Sequence, residues 1–126
     1  YSTALPPPLL GAIDAALDLV PDMDAERAHV AGLAASLREK VSEIGFDTGT
    51  STTQIVPVMT GDADSALSLS GRLRDAGYWV TPIRPPTVPK GSARLRLSFS
   101  AIHTQEQVDG LVDILARTRT SGYATV

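Results

Sequence analysis

The sequence of 126 residues contains no cysteine, which excludes disulfide bonds, thiolate metal sites and cysteine nucleophiles. This absence is compatible with a reducing, cytoplasmic location, which we expect. No apolar run approaches the roughly 20 residues that span a bilayer, and no signal peptide is recognisable. The net charge is -3, whereas dedicated nucleic-acid-binding proteins are basic overall. We therefore expect neither a membrane nor a nucleic acid as partner.

Residue types and motifs that support catalysis are also scarce. The only lysines are Lys40 and Lys90, and the only histidines, His29 and His103, are more typical of surface and structural positions. The sequence has no HExxH zinc motif, no phosphate-cradling glycine loop and no nucleophile elbow. We therefore expect no metal site and no catalytic residue in this chain. The chain starts at Tyr1 rather than Met, which indicates a processed, truncated or partly recorded protein.

Hydrophobic periodicity and turn residues predict the element order α-α-β-α-β-β-α. The three strands and the helices that pack on them form a small α+β layer from about residue 52 onward. The small polar residues from Thr118 onward are expected to fray. The predicted elements are helices at about 7–20, 24–44 and 63–76, strands at 53–59, 78–83 and 94–100, and a last helix that begins with a capping box at Thr104–Gln107.

The first predicted helix is almost entirely apolar, with Asp14 and Asp18 as its only charged residues. A helix of this kind needs to be covered by other polypeptide. In this chain alone we expect it to present an exposed apolar patch, which promotes self-association. The patch consists of Leu9, Leu10, Ile13 and Leu17.

The most informative segment runs from Ala76 to Gln105, because it contains no Asp or Glu although the chain has 14 acidic and 11 basic residues. Such segregation of charge indicates an anion site, or more simply a solvated basic loop. Alternation with apolar residues predicts that Arg94 and Arg96 share the polar face of a strand, about 7 Å apart. A guanidinium can grip a carboxylate through two parallel hydrogen bonds, unless it merely pairs with a surface acid.

Two further segments are candidates for binding. The loop Arg84–Pro89 contains three prolines, whose stiffness can hold a side chain in place for a ligand or can simply make a rigid crossover between strands. Ser2 and Thr3 precede a helix opened by prolines. Their hydroxyls and the free N–H groups there could hold a phosphate, or could serve only as a helix cap.

The segment IRPPTVPKGSARLRLS at 83–98, with SAIHT at 100–104, resembles the C-terminal domain of the 8-amino-7-oxononanoate synthases. These enzymes belong to the α-oxoamine synthase family, which uses pyridoxal 5'-phosphate (PLP) on the aspartate aminotransferase fold. The opening YSTALPP at 1–7 resembles a second family motif, which follows the cofactor-binding lysine. The resemblance implies a small α+β domain of a fold-type-I enzyme, with a three-stranded, mainly antiparallel sheet, helices on one face and two preceding helices. It also implies that residues 1–45 end the large domain and form a connecting helix, and that 46–126 form the small domain.

The resemblance also assigns site residues. Arg96 matches the arginine that binds the carboxylate of the amino-acid substrate, and Thr87 matches a residue near that carboxylate. Arg84 lies where the acyl substrate enters. Ser2 and Thr3 match the hydroxyl pair that reaches the cofactor phosphate of the partner subunit in the homodimeric family.

The reaction implied is the condensation of L-alanine with a pimeloyl thioester, with loss of carbon dioxide, in biotin biosynthesis; PLP serves as the electron sink. The Schiff-base lysine of the family would lie before Tyr1, and neither Lys40 nor Lys90 matches its motif, so we expect this chain to be inactive alone. Arg94 is expected to be structural. Two alternatives remain open: a non-catalytic α+β domain that binds a carboxylate or a protein, and a related synthase that uses glycine or serine.

Overall fold

The computed structural model describes residues 4–120, and its elements follow the predicted order. Three of the helices begin and end within one residue of their predicted limits, whereas the strands differ by up to three residues. The elements are α1 (Pro7–Leu19), a short 3₁₀ helix (Val20–Asp22), α2 (Asp24–Glu43), β1 (Ile55–Gly61), α3 (Ala63–Asp75), β2 (Thr81–Ile83), β3 (Ala93–Ser98) and α4 (Gln105–Thr120).

Several helix ends lie at residues whose local chemistry starts or stops a helix. Asp62 caps α3, because its carboxylate accepts a hydrogen bond from the Ser65 backbone N–H at 2.8 Å. Thr104 and Gln107 form the predicted capping box of α4 through two reciprocal hydrogen bonds of 3.0 and 3.3 Å. Just beyond α2, Gly45 has a φ of +82°, a conformation that glycine adopts without steric cost.

The three strands form an antiparallel sheet in the order β1-β3-β2. α2 and α3 pack on one face of this sheet, and α4 packs against both helices. The predicted α+β layer, with helices on one face of a three-stranded sheet, is therefore confirmed. The core between these layers consists of Leu33, Ala34, Leu37, Val41, Phe46, Val56, Val58, Leu69, Leu73, Leu95, Leu97, Val108, Leu111 and Leu115.

The strand predicted at 78–83 is shorter than expected, since β2 contains only Thr81–Ile83. The Ser70 hydroxyl of α3 donates a hydrogen bond to the Val80 carbonyl at 2.7 Å. This bond attaches the segment before β2 to α3 instead of β3. The Trp79 side chain in this segment is 83% exposed.

The prediction that the chain frays from Thr118 is wrong for residues 118–120, because α4 continues to Thr120. The rest of the tail, 121–126, lies outside the described residues. Thr118 is only 6% exposed, and its hydroxyl donates to the Leu115 carbonyl at 2.7 Å. Arg119 donates to the Gly45 carbonyl, and its guanidinium lies 5.3 Å from the centre of the Phe46 ring. These contacts hold the last turn of α4 against the end of α2.

The two leading helices differ in their relation to the core. α2 contributes four buried residues, whereas α1 buries none of its side chains. Leu9, Ile13 and Leu17 of α1 are 43–65% exposed, which confirms the predicted apolar patch. Along residues 4–120, none of the helices combines the length and apolar character that a membrane crossing requires.

We predict that replacing Leu9, Ile13 and Leu17 together by glutamine lowers both the binding of a hydrophobic dye and the self-association of the chain, since the patch is then polar. Dye fluorescence and sedimentation velocity at high protein concentration measure the two effects. The matched control is Leu67→Gln on α3, which removes a residue of similar exposure, 45%, and should change neither. A wild-type chain that sediments as a monomer and binds no dye would contradict the prediction.

A second prediction concerns the ion pair between Lys40 of α2 and Asp109 of α4. The hydrogen bond from Lys40, together with one from Gln105, holds the pKa of Asp109 below its ordinary value. A carboxyl whose pKa is lowered on folding stabilises the fold above its unfolded pKa, and the contribution disappears as the pH falls through the folded pKa. Lys40→Met should therefore lower the free energy of unfolding at neutral pH and have less effect in strong acid.

Urea unfolding of the two proteins at both pH values measures this difference. Lys90→Met provides the control, because the Lys90 side chain has no hydrogen bond or ion pair within residues 4–120. Equal losses of stability at the two pH values would show that Lys40 acts through packing and not through Asp109.

Candidate functional site

The candidate site lies on the face of the sheet that is turned away from the helices. In β3, the side chains of Leu95 and Leu97 are buried, whereas Arg94 is half-buried and Arg96 is exposed. This pattern confirms the alternation predicted from the sequence. Because β3 is the middle strand, the backbone of both arginines lies in a strand that is paired on both edges.

Arg96 is flanked across the sheet by uncharged residues. The register places Pro57 of β1 on one side of it and Thr81 of β2 on the other. Within residues 4–120, the Arg96 side chain makes no hydrogen bond or ion pair, so it is not occupied by a surface acid. Its guanidinium is therefore available for two parallel hydrogen bonds to a carboxylate. Arg96 also lies outside the walls of three cavities in the structure, on an open face.

Arg94 behaves differently from Arg96, although the two share a face. Its Nε–H donates to the Ser92 carbonyl at 3.0 Å, and its register partners are Met59 and Ile83. The side chain thus connects β3 to the end of the preceding loop. This contact agrees with the structural role expected for Arg94.

The proline-rich loop at 84–92 joins β2 to β3. The Thr87 N–H donates to the Arg84 carbonyl at 3.0 Å, and the Ser92 N–H donates to the Pro89 carbonyl at 3.2 Å. These turns, together with the prolines, restrict the loop at both ends. Arg84 and Thr87 are both exposed, and the structure shows no hydrogen bond between either side chain and the arginines of β3. The structure therefore places Arg94 and Arg96 on the same face of β3 but does not connect Arg84 or Thr87 to them.

The residues that could contact a cofactor do not form a set in the described part of the chain. Lys40 is engaged by Asp109, and Lys90 is exposed in the loop. Ser2 and Thr3, the expected phosphate ligands, lie outside the described residues. No group of three or more His, Asp or Glu side chains within residues 4–120 could hold a metal ion. A PLP site requires a lysine that can reach a bound cofactor, and neither Lys40 nor Lys90 lines any of the three cavities described for residues 4–120.

Both histidines are held by hydrogen bonds to backbone groups. The His103 Nδ1 accepts from the Ser100 backbone N–H at 3.0 Å, and its ring meets the Phe99 ring edge-on at 5.9 Å between centroids. The His29 Nε2 donates to the His103 carbonyl at 2.8 Å, which links α2 to the loop before α4. These contacts fit the structural role expected of His103.

Sequence reasoning missed two features of the surface around β3. The flanking of Arg96 by Pro57 and Thr81 depends on strand register, which no local pattern reveals. A cavity of about 460 Å³ lies where the segment before β2 leaves β3, and Trp79 and His103 line it. The run Tyr78–Val80 lacks the polar alternation of a half-buried strand, and this pattern could have indicated that the segment does not pair with β3.

Comparison with known proteins gives consistent results for sequence and fold. Residues 1–115 match the family model described as aminotransferase class I and II. The chain is 57% identical over 115 residues to the 8-amino-7-oxononanoate synthase of Gluconacetobacter diazotrophicus, covering 91% of this chain and 29% of that protein. Its fold is similar to that of a serine palmitoyltransferase from S. paucimobilis with bound PLP, with a TM-score of 0.88, 27% identity and coverage of 96% of this chain and 31% of that one.

A third comparison supports the fold alone. The 8-amino-7-oxononanoate synthase from Francisella tularensis matches with a TM-score of 0.81 at 23% identity, over 98% of this chain and 36% of that one. The chain therefore spans about a third or less of the length of the relatives it matches. The resemblance and the fold class inferred from the sequence are both confirmed.

We predict that Arg96→Gln changes the free energy of unfolding by less than about 0.5 kcal/mol, because an exposed side chain without a partner contributes little to stability. Leu95→Ala, one residue away on the buried face, should cost about 2–5 kcal/mol. Urea unfolding followed by circular dichroism compares the two variants. A large loss of stability in Arg96→Gln would mean that this arginine is needed for the fold and weaken its assignment to binding.

Proposed function

Because the chain belongs to the aminotransferase class I and II family, we propose that it is the C-terminal part of a PLP-dependent acyltransferase, an 8-amino-7-oxononanoate synthase. The complete enzyme would condense L-alanine with a pimeloyl thioester, release carbon dioxide and serve biotin biosynthesis. The identity of 57% to a relative of that name supports this assignment. The structural observation that carries it is the guanidinium of Arg96 on the middle strand, which has no partner among residues 4–120.

In this proposal Arg96 binds the carboxylate of L-alanine. The planar guanidinium offers two parallel N–H donors to the two carboxylate oxygens, so it fixes the orientation of the amino acid as well as its position. A side chain on a paired strand is better aimed than one on a loop. Positioning of this kind can supply several kcal/mol of the barrier reduction. The flanking residues Pro57 and Thr81 carry no charge that would compete for the guanidinium.

The other roles follow from the resemblance and extend the proposal. Thr87 would lie near the substrate carboxylate and Arg84 near the entry of the acyl substrate, and their exposure on a stiffened loop is compatible with both roles. Ser2 and Thr3 would bind the cofactor phosphate of the partner subunit in a homodimer. A cytoplasmic location belongs to the same proposal.

The cofactor itself would be held by polypeptide outside this chain, because residues 4–120 do not fit a PLP site. PLP supplies an electron sink for the carbanion. We infer that the chain alone is inactive, since neither Lys40 nor Lys90 matches the Schiff-base lysine motif of the family. The exposed face of α1 supports the division into residues 1–45, which would end the large domain and connect it, and 46–126, which would form the small domain.

A related synthase that uses L-serine is the second candidate. The fold similarity to a serine palmitoyltransferase, at 27% identity, favours it. Steady-state kinetics of the complete enzyme with L-alanine, L-serine and glycine distinguish the candidates. A preference for L-serine would overturn the assignment to 8-amino-7-oxononanoate synthesis and leave the role of Arg96 intact.

We predict that Arg96→Ala in the complete enzyme raises KM for L-alanine by roughly 10- to 100-fold, the effect of losing hydrogen bonds to a charged group. KM for the acyl thioester should change little. Arg96→Lys should restore only part of the loss, because an ammonium cannot form the two-pronged contact. The control is Arg94→Gln, on the same face of the same strand, which should leave KM for L-alanine unchanged. Unaltered alanine kinetics in Arg96→Ala would remove the role assigned to this residue.

A further inference from the structure

A cavity separate from the face of Arg96 opens at the edge of the sheet. It has a volume of about 460 Å³, within the range of about 300–1,000 Å³ typical of small-molecule sites. It forms because the segment before β2 is tied to α3 through Val80, as described above, and so diverges from β3. The side chains that define its chemistry are Tyr78, Trp79, Ser98, Phe99, His103 and Gln107.

The polar side of this edge cavity presents hydrogen-bond donors. The His103 Nδ1 accepts from the Ser100 N–H, so the neutral ring carries its proton on Nε2. The Gln107 Oε1 accepts from the Thr104 N–H, which leaves the amide NH₂ as a donor. Within residues 4–120, neither of these N–H groups has a hydrogen-bond partner. Two N–H donors on the walls of one cavity can serve the two oxygens of a carboxylate.

The remaining walls are aromatic and aliphatic and carry no acidic residue. Trp79 is 83% exposed, and Tyr78 and Phe99 line the same cavity. The exposed indole of Trp79 gains from contact with a flat apolar group, because aromatic pairs contribute beyond their buried area. The segment from Ala76 to Gln105, which supplies most of the lining, contains no Asp or Glu that would repel an anion.

We propose that the edge cavity binds a small aromatic carboxylate. The aromatic ring of the ligand lies against Trp79 and Phe99, and its carboxylate accepts hydrogen bonds from His103 Nε2 and the Gln107 amide. This site is distinct from the proposed amino-acid site, because Arg96 is not part of its walls.

Trp79 is the single tryptophan of the chain, so its fluorescence reports directly on the cavity. Titration of the chain with benzoate should give a saturable change in Trp79 emission. Acetate, which has the charge without the ring, and benzyl alcohol, which has the ring without the charge, should give much weaker responses. An equal response to acetate and benzoate, or no saturable change with benzoate, would overturn the proposal.

The variant His103→Asn tests the polar contact, because the Asn Oδ1 can still accept from the Ser100 N–H while the Nε2 donor is lost. We expect benzoate to bind roughly tenfold more weakly, the effect of losing one hydrogen bond to a charged group. His29→Gln, which keeps a donor for the His103 carbonyl, is the matched control and should bind benzoate as the wild type does. Unchanged affinity in His103→Asn would overturn the assignment.

A second measurement keeps the proposal testable if His103→Asn does not fold. Benzoate should shift the side-chain N–H resonances of His103 and Gln107 in the wild-type chain, and leave those of Arg96 unshifted. Shifts at Arg96 without shifts at His103 would show that benzoate binds the face of the sheet and that the edge cavity is not its site.

Discussion

The structure depends on the pairing of β3 with a strand on each side. Both neighbours contain a proline, Pro57 in β1 and Pro82 in β2, and proline lacks the N–H that a strand needs to bond on two sides. β3 contains no proline and is the only strand of the three with neighbours on both edges. The arrangement also discourages further strands from adding to the sheet, since proline on an edge strand interrupts a new ladder.

The same pairing exposes Arg96, the arginine of the candidate site. Leu95 and Leu97 enter the core, and a slip of β3 by one residue would bury Arg96 in their place. Because burial of an unpaired guanidinium is very costly, the shifted register would be much less stable than the observed one. The burial of Leu95 and Leu97, which stabilises the fold, therefore also places Arg96 on the exposed face of β3.

The helices could be predicted closely from the sequence because their signals are local. The capping box at Thr104–Gln107 and the glycine after α2 act within one turn of chain. Strand ends depend on partners that are distant in sequence, and the bond from Ser70 to Val80 could not be anticipated from the segment itself. The buried end of α4 has a similar cause, since Arg119 finds its partners at the end of α2.

The candidate site, too, has features that the sequence predicts and features that it does not. Alternation within β3 predicts the exposure of Arg96, whereas its uncharged neighbours follow from a register that local patterns do not encode. The open surroundings of Arg96 also bear on what this domain can do alone. A guanidinium in bulk water gains only about 0–1 kcal/mol from pairing with a carboxylate, because solvent screens the charges. The same pair is worth more where water is excluded. Under the proposed function, this chain thus supplies the group that recognises the substrate, and polypeptide outside it would supply the enclosure that makes recognition strong.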